Sequence, residues 1–365
     1  MKKKVVILQP YIAPYRVNLF NEINNFDDID LYLLYFNKTE ERRKWNNTPI
    51  CKFKQVQLHP VIFHFNYEKN ITIPNIAELV RFLIKIKPDM IICSPNIEGM
   101  VLCYLKNIFK YRIASWMEST NITEKNISLI KKYLRYNFFK NINHFIIPGK
   151  KTEEYLNSNK YIKNREKLYF APNTIDQEKY LLTENEVKNK FENIKHLRFL
   201  FSGSLIERKG FHLLQKAFQD LSGYSFPYTY ELNVAGSGNL PEYQIQHVNY
   251  KGFLQGDEYR ELFKSSHVFV LPSLRDCNPL TVVEAINAGN ILLLSDAVGN
   301  YPEFVKGNGF VFKSNSKNAI KDSLFKLMNL NNEVFKEIAL KSISIANNIN
   351  HKNSALSFYQ AMMSK

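Results

Sequence analysis

The chain has 365 residues, a formal net charge of +15 and four cysteines. Its length exceeds the size at which one hydrophobic core usually stops growing, so we expect two domains. No apolar run approaches the roughly 20 residues that cross a bilayer, and Cys51, Cys93, Cys103 and Cys277 have neither zinc-site nor disulfide-framework spacing. These features argue against a membrane-spanning or disulfide-rich protein and favour reduced thiols in the cytoplasm.

The positive charge is unevenly distributed. Residues 1–175 contain 28 Lys and Arg against 15 Asp and Glu, whereas the remainder contains 21 against 19. A genome biased towards Lys, Asn and Ile would raise the total charge, but it does not explain the difference between the halves. A surface that meets anionic lipid or an anionic substrate would explain it.

Short apolar runs typical of β-strands alternate with helical patterns along the whole chain. The pattern predicts parallel sheets built from βαβ units, an α/β protein with two doubly wound Rossmann-like domains. We place the domains at residues 1–175 and 176–345, joined by a polar linker near Ala171 to Glu186, with a helix at 346–365 that packs back on the N-terminal domain. The clearest predicted strands lie in KVVILQP, DLYLLYF, DMIICS, YRIASWM and HFIIPG, then in LRFLFSGSL, YELNVAGSG, VNYKGFL, HVFVLPS and NILLLSD.

Two glycine-containing loops follow strands of the second half. FSGSLIERKG contains Gly203 and the basic pair Arg208 and Lys209 just before a predicted helix, and VAGSG contains Gly236. Ligands of open α/β sheets bind at the carboxyl ends of the strands. Cationic side chains and helix-terminal N–H groups at that edge suit a diphosphate, although a solvated helix start is an alternative for the basic pair.

Two carboxylates stand eight positions apart in PSLRDCNPLTVVEAINAGN, Asp276 after a predicted strand and Glu284 inside a predicted helix. This segment follows four other motifs, which in chain order are APNTID, FSGSLIERKG, VAGSG and VNYKGFL. Together and in this order, the five motifs resemble the nucleotide-binding domain of GT-B glycosyltransferases, most closely retaining family 4. The resemblance covers residues 170 to 310 well. The N-terminal half matches only in outline, through PYIAPYR and KPDMI.

The resemblance implies a role for each matched residue. Glu284 would bind ribose hydroxyls, and Asp276, where relatives have glutamate, would lie beside the donor sugar. Lys209 matches the phosphate lysine, and Arg208 would replace an arginine that relatives carry where this chain has Ser204. Further implied donor contacts are Phe253 beside the base and the backbone of Asn278, Pro279, Leu280 and Thr281 facing sugar and phosphates. We expect no cofactor and no metal dependence, since fixed cations can neutralise the leaving diphosphate.

The acceptor site is expected in the N-terminal half, at the end of the first strand. Tyr15 and Arg16 lie in a turn there. Arg16 either points into the central cleft that the two domains are expected to face, or is a solvated helix-start arginine. Glu118 follows a later strand, near the place where many relatives have histidine. It either orients or deprotonates an acceptor hydroxyl, or it is a helix N-terminal acid.

These features predict a cytoplasmic glycosyltransferase that transfers a sugar, with retention, from a nucleotide diphosphate sugar to a saccharide hydroxyl. The basic half favours a lipid-linked acceptor for a surface polysaccharide, such as capsule or O-antigen, and peripheral attachment to anionic membrane. In the segment 131–144, a predicted apolar stripe of Leu134, Phe138 and Ile142 is flanked by the cations Lys131, Lys132, Arg135 and Lys140. The same stripe could instead face the core. Two alternatives remain open, a nucleotide-sugar epimerase of the same fold and a nucleic-acid-binding protein.

Overall fold

The computed structural model describes residues 2–37, 49–66, 69–162 and 167–364, which form two parallel-sheet α/β domains. The expected pair of doubly wound domains is therefore confirmed. Each sheet is covered by helices on both faces, which explains why its strands are continuous apolar runs and not alternating ones.

The N-terminal domain is built on a seven-stranded sheet in the order β3-β2-β1-β6-β7-β8-β9, in which every neighbouring pair is parallel. A separate antiparallel hairpin joins β4 and β5. The strands are β1 Lys3–Tyr11, β2 Ile29–Asn37, β3 Lys54–Gln57, β4 Pro60–Asn66, β5 Lys69–Pro74, β6 Met90–Cys93, β7 Arg112–Trp116, β8 His144–Ile147 and β9 Leu168–Phe170. The helices are α1 Pro14–Asn24, α2 Ile76–Ile86, α3 Ile97–Phe109, α4 Leu129–Lys140 and α5 Lys150–Ser158.

The C-terminal domain has a six-stranded parallel sheet in the order β12-β11-β10-β13-β14-β15. Its strands are β10 His196–Ser202, β11 Thr229–Ala235, β12 Val248–Gly252, β13 Val268–Leu271, β14 Ile291–Ser295 and β15 Gly309–Phe312. Its helices are α6 Glu184–Lys190, α7 Phe211–Leu221, α8 Gly256–Ser265, α9 Leu280–Asn287, α10 Tyr301–Phe304, α11 Lys317–Met328 and α12 Asn332–Ala346.

Both sheets change winding direction at their central strands. β1 lies between β2 and β6, and β10 lies between β11 and β13, so successive crossovers run to opposite sides of these strands. At such a point the loops that leave the carboxyl ends diverge and open a crevice. The loops after β1 and β10 are therefore the places where each domain can hold a ligand.

The chain crosses between the domains before α6 and again after α12. The last helix, α13 (His351–Met363), packs on the N-terminal domain, where Phe358 meets Trp116 with ring centroids 4.9 Å apart. The two segments that connect the domains contact each other through a hydrogen bond, in which the Ser354 hydroxyl donates to the Pro172 carbonyl at 2.9 Å. A second contact between the domains joins Glu303 of α10 to the start of α5, whose Lys150 N–H donates to the Glu303 carboxylate at 2.7 Å.

Candidate active site

Glycine backbone brings the strand-end loops of the C-terminal domain into direct contact. A Cβ on Gly210 (φ +68°) would lie 1.9 Å from the Pro272 carbonyl oxygen, and one on Gly236 would lie 1.9 Å from the Gly203 carbonyl oxygen. No side chain fits at either place. At Gly236 the neighbouring loop fills the space where a side chain would lie.

This contact places Lys209 beside Asp276. The Lys209 ammonium lies 2.5 Å from the Asp276 carboxylate, which also accepts from the Ser273 hydroxyl at 3.3 Å. The backbone of Asp276 is held too, because its carbonyl accepts from the Gly299 N–H at 2.8 Å. Arg208 donates to the Arg275 carbonyl at 2.9 Å and so braces the same loop from outside. A cation and an anion thus meet at the carboxyl edge between β10 and β13.

Glu284 belongs to a separate hydrogen-bonded group. Its two carboxylate oxygens accept from the hydroxyls of Tyr180, at 3.1 Å, and Tyr259, at 2.9 Å. The Ser202 hydroxyl, at the end of β10, lies 2.9 Å from the Tyr259 hydroxyl. Burial raises the pKa of Glu284 to about 7, while the hydrogen bonds from the two tyrosines act in the opposite direction. This carboxyl group therefore changes charge near neutral pH.

The loop between the two acids carries polar groups without partners. Asn278 is 7% exposed, and neither its amide oxygen nor its amide nitrogen has a hydrogen-bond partner among the described residues. The buried Thr281 hydroxyl, in the first turn of α9, is also unpaired within them. Pro279 precedes α9 and Leu280 begins it, so the N–H groups of this turn are free of side-chain caps. A buried polar group without a partner is costly, which marks this loop as a place that a polar ligand could complete.

In the N-terminal domain, Arg16 and Glu118 are brought together at the ends of β1 and β7. A guanidinium nitrogen of Arg16 lies 3.0 Å from the Glu118 carboxylate, and the guanidinium lies over the Trp116 ring, 4.4 Å from its centroid. The Asn173 amide donates to the same carboxylate oxygen at 3.0 Å. Arg16 is therefore not a solvated helix-start arginine, and Glu118 precedes a turn, not a helix. The Arg16 guanidinium also lies 5.5 Å from the centroid of the Tyr15 ring.

A cavity of about 310 Å³ is lined mainly by residues of the N-terminal domain, among them Arg16 and Glu118. Cys277, the neighbour of Asp276, contributes to its wall from the C-terminal domain, and its thiol lies near Thr123 of the N-terminal domain. Phe253 lies apart from this cavity and is more than half exposed. The lining residues are Gln9, Arg16, Ser94, Pro95, Asn96, Trp116, Met117, Glu118, Ser119, Arg135 and Cys277.

Arg135 corrects our expectation for the segment 131–144. It is 5% exposed, donates to the Tyr155 hydroxyl at 2.6 Å and pairs with Glu124 at 2.9 Å, so it is not a surface cation. Phe138 and Ile142 of the predicted stripe are buried. The exposed apolar side chains lie within the first eight residues of α4 and include Leu134 of the predicted stripe; they are Leu129, Ile130, Tyr133, Leu134 and Tyr136.

Sequence reasoning missed several residues of this arrangement. Asn173 lies inside the recognised APNTID motif and Tyr180 follows it closely, so their position could have drawn attention to them. Tyr259, Ser202 and Cys277 carried no signal of their own, because their contacts lie far away in the sequence.

Comparisons with known proteins identify relatives of the C-terminal domain. Residues 183–341 match the family model described as glycosyl transferases group 1. An uncharacterized glycosyltransferase of Methanocaldococcus jannaschii is 31% identical over an alignment of 116 residues. The alignment covers 29% of this chain and 29% of that protein. The matched stretch thus spans less than a third of that relative. The match to glycosyl transferases group 1 covers most of the C-terminal domain.

Solved structures extend the likeness to the whole fold. Sucrose-phosphate synthase from Thermosynechococcus elongatus has a TM-score of 0.72 at 14% identity over 98% of both chains. The lipopolysaccharide outer core galactosyltransferase WaaB has a TM-score of 0.70 at 13% identity over 98% of both. Anabaena HepE, solved in complex with UDP and glucose, has a TM-score of 0.68 at 13% identity over 98% of both. The fold is that of GT-B glycosyltransferases.

Proposed function

We propose that the protein is a retaining, family 4 glycosyltransferase that moves a sugar from a nucleotide diphosphate sugar to a hydroxyl of a saccharide acceptor. One observation carries this proposal. The Lys209–Asp276 pair adjoins a loop of unpartnered polar groups, and Cys277, which follows Asp276, lines the same cavity as the Arg16–Glu118 pair of the other domain. Such an arrangement suits two substrates that meet between two domains.

On the donor side, Lys209 and Arg208 would neutralise the diphosphate, whose negative charge grows as the bond to the sugar breaks. Glu284 would bind the ribose hydroxyls, and the loop at Phe253 would lie beside the base. Asp276 would hold sugar hydroxyls and stabilise positive charge at the anomeric carbon. The backbone of Asn278 to Thr281 would donate to sugar and phosphates. UDP is the nucleotide in the solved complex of HepE, which supports a uridine nucleotide as the first to test.

On the acceptor side, Arg16, Tyr15 and Glu118 would orient the attacking hydroxyl. Transfer with retention would need no enzyme nucleophile, because the leaving phosphate itself would take the acceptor proton on the same face of the sugar. Glu118 would then act mainly by orientation. We infer that catalysis is independent of metal ions and predict that EDTA leaves the transfer rate unchanged.

An exposed apolar surface supports a lipid-linked acceptor. Leu129, Ile130 and Tyr133 of α4 are 81%, 73% and 68% exposed, and α3, which contacts α4, adds exposed Tyr104 and Ile108. We call these five residues the α3–α4 face. Lys131, Lys132 and Lys140 lie on α4 beside it. Apolar side chains flanked by lysines suit the surface of an anionic bilayer. No helix within the described ranges is long and apolar enough to span a membrane, and we propose peripheral attachment on the cytoplasmic side, for surface polysaccharide synthesis.

The function is tested first by thermal shift against UDP-, GDP-, ADP- and CDP-sugars, because a ligand of the native state raises the melting temperature. The nucleotide sugar that gives the largest shift is then offered with lipid-linked and soluble saccharide acceptors, and the product is analysed for anomeric configuration. Absence of any shift with the whole panel would contradict the proposed function.

The same assays separate the two alternatives. The match to glycosyl transferases group 1 favours transfer over epimerisation. An epimerase would convert the nucleotide sugar without an acceptor, so the acceptor-free reaction is the discriminating control. Salt-dependent binding of nucleic acid, measured by filter binding at two salt concentrations, would indicate the nucleic-acid alternative.

The membrane part has its own prediction. Replacing Leu129, Ile130 and Tyr133 together with Ser is expected to release the protein from anionic vesicles, since apolar burial of the α3–α4 face would be lost. Tyr243→Ser combined with Leu356→Ser removes exposed apolar side chains elsewhere and should not. Co-sedimentation at low and high salt measures both. Wild-type protein that stays in solution at low salt would contradict membrane attachment and favour a soluble acceptor.

A further inference from the structure

Glu284 is held by two tyrosines from different parts of the chain. Tyr180 follows a short turn in the segment that crosses between the domains, and Tyr259 belongs to α8. Each donates to a different oxygen of the carboxylate, and the Ser202 hydroxyl contacts Tyr259 from behind. Tyr180 is buried and Tyr259 is partly buried. The carboxylate therefore cannot rotate without losing a hydrogen bond, and each oxygen keeps lone-pair capacity for a further donor.

No cation pairs with Glu284 among the residues that the structure describes. The titratable groups that act on it directly are Tyr180 and Tyr259, and the charges beyond them, Arg260 and Asp176, act on Tyr180 with opposite effects. Burial raises the pKa of Glu284, whereas the two tyrosine hydrogen bonds lower it because they favour the ionised form. The hydrogen bonds from the two tyrosines thus stabilise the ionised carboxylate, as a neighbouring positive charge would.

We propose that Tyr180 and Tyr259 are positioning residues, which keep Glu284 ionised and oriented for the ribose hydroxyls of the nucleotide. This inference rests on the proposed function, in which Glu284 binds the ribose. An ionised carboxylate accepts from both ribose hydroxyls, whereas a protonated one loses acceptor capacity and must place its own proton. Because Tyr180 lies in the crossing segment, it also connects the ribose site directly to the chain between the domains.

The experiment measures affinity against pH. The probe is UDP-glucose, or the better nucleotide sugar from the thermal-shift panel, because its diphosphate does not titrate between about pH 6 and pH 9. Wild-type affinity is expected to fall as pH drops below about 7, when Glu284 becomes protonated. In Tyr180→Phe and Tyr259→Phe the loss of one donor raises the pKa of Glu284. The midpoint should therefore move to higher pH, with affinity about tenfold lower near pH 6.5 and a smaller difference near pH 9.

Matched variants make the outcome decisive. Tyr250→Phe removes a hydroxyl that contacts Gln215 and Tyr243 in the same domain, and it should keep the wild-type profile. Glu284→Gln should remove the pH-dependent step. If a tyrosine variant does not fold, Ser202→Ala should shift the midpoint in the same direction by less. Wild-type binding with unchanged profiles in Tyr180→Phe, Tyr259→Phe and Ser202→Ala would overturn this inference alone, whereas no binding of any nucleotide sugar to the wild type would overturn the proposed function.

Discussion

The two domains share one type of sheet but build their strand ends differently. In the C-terminal domain one ion pair, Lys209 with Asp276, lies beside loops whose backbones meet directly, because Gly210 and Gly236 leave no room for a side chain between them. In the N-terminal domain the same edge is filled by paired side chains, Arg16 with Glu118 and Arg135 with Glu124. Direct backbone contacts fix the arrangement of the loops. Paired side chains can be replaced by other residues without a change in the course of the backbone.

This difference corresponds to the ligands proposed for each domain. A nucleotide diphosphate is a common group, and a rigid set of N–H groups and cations suits it in any enzyme that uses it. Acceptors differ from enzyme to enzyme, and side-chain pairs such as Arg16 and Glu118 can change with them. The contrast also explains why recognisable motifs are concentrated in the second half of the sequence.

The largest expected effect is the loss of stability in Gly210→Ala, with Gly252→Ala as the matched control. Both glycines have nearly the same left-handed φ, +68° and +67°, but a Cβ on Gly210 meets the Pro272 carbonyl oxygen, whereas one on Gly252 meets nothing within 4 Å. Gly252→Ala should cost only the backbone strain, about 1–2 kcal/mol. Gly210→Ala should lower the free energy of unfolding by more than about 4 kcal/mol, because the loops must separate. Urea unfolding measures both, and equal losses would contradict direct contact of these loops.

A smaller effect is expected when Asp276 and Glu284 are each replaced by the matching amide, since one change should lower the transfer rate and the other the affinity for UDP. Asp276→Asn hardly changes volume and should lower transfer about 10²-fold, because the charge beside the anomeric carbon is lost, while affinity for free UDP stays within about threefold of wild type. Glu284→Gln should lower UDP affinity about tenfold, since it loses a charged hydrogen-bond acceptor. Calorimetry with UDP and initial rates of transfer measure the two properties. Equal loss of UDP affinity in both variants would show that their proposed roles are wrong.

The smallest effect is expected in the N-terminal domain. Glu118→Gln should lower the transfer rate about tenfold, mainly through a higher KM for the acceptor, because it weakens the hold of Arg16 and of the acceptor hydroxyl. Affinity for UDP should not change, since Glu118 is in the other domain. Glu124→Gln is the matched control, a second arginine-paired carboxylate that does not line the cavity. A loss of UDP affinity in Glu118→Gln, absent from Glu124→Gln, would contradict the division of substrates between the domains.

Much of the fold followed from local sequence. Apolar runs of strand length between helical patterns predicted both parallel sheets, because strands buried on both faces need continuous apolar residues. Three edge strands were not predicted, namely β3 with the sequence KQVQ, the three-residue β9 and β15, because at the edges of a sheet pairing and not full burial defines them. The β4–β5 hairpin was not predicted either. Glycine motifs and the two acids indicated the donor loops by resemblance, since a loop's sequence records its own backbone requirements.

Only the tertiary structure decided which side chains meet. Lys209 and Asp276 are 67 positions apart, Arg16 and Glu118 are 102 apart, and Tyr180 and Glu284 are 104 apart. No local pattern encodes such pairs, because they depend on how separate loops converge at one edge of a sheet. Arg135 shows the same limit. Its spacing along α4 fits a surface cation, and the partners that bury it, Glu124 and Tyr155, come from the preceding loop and from α5.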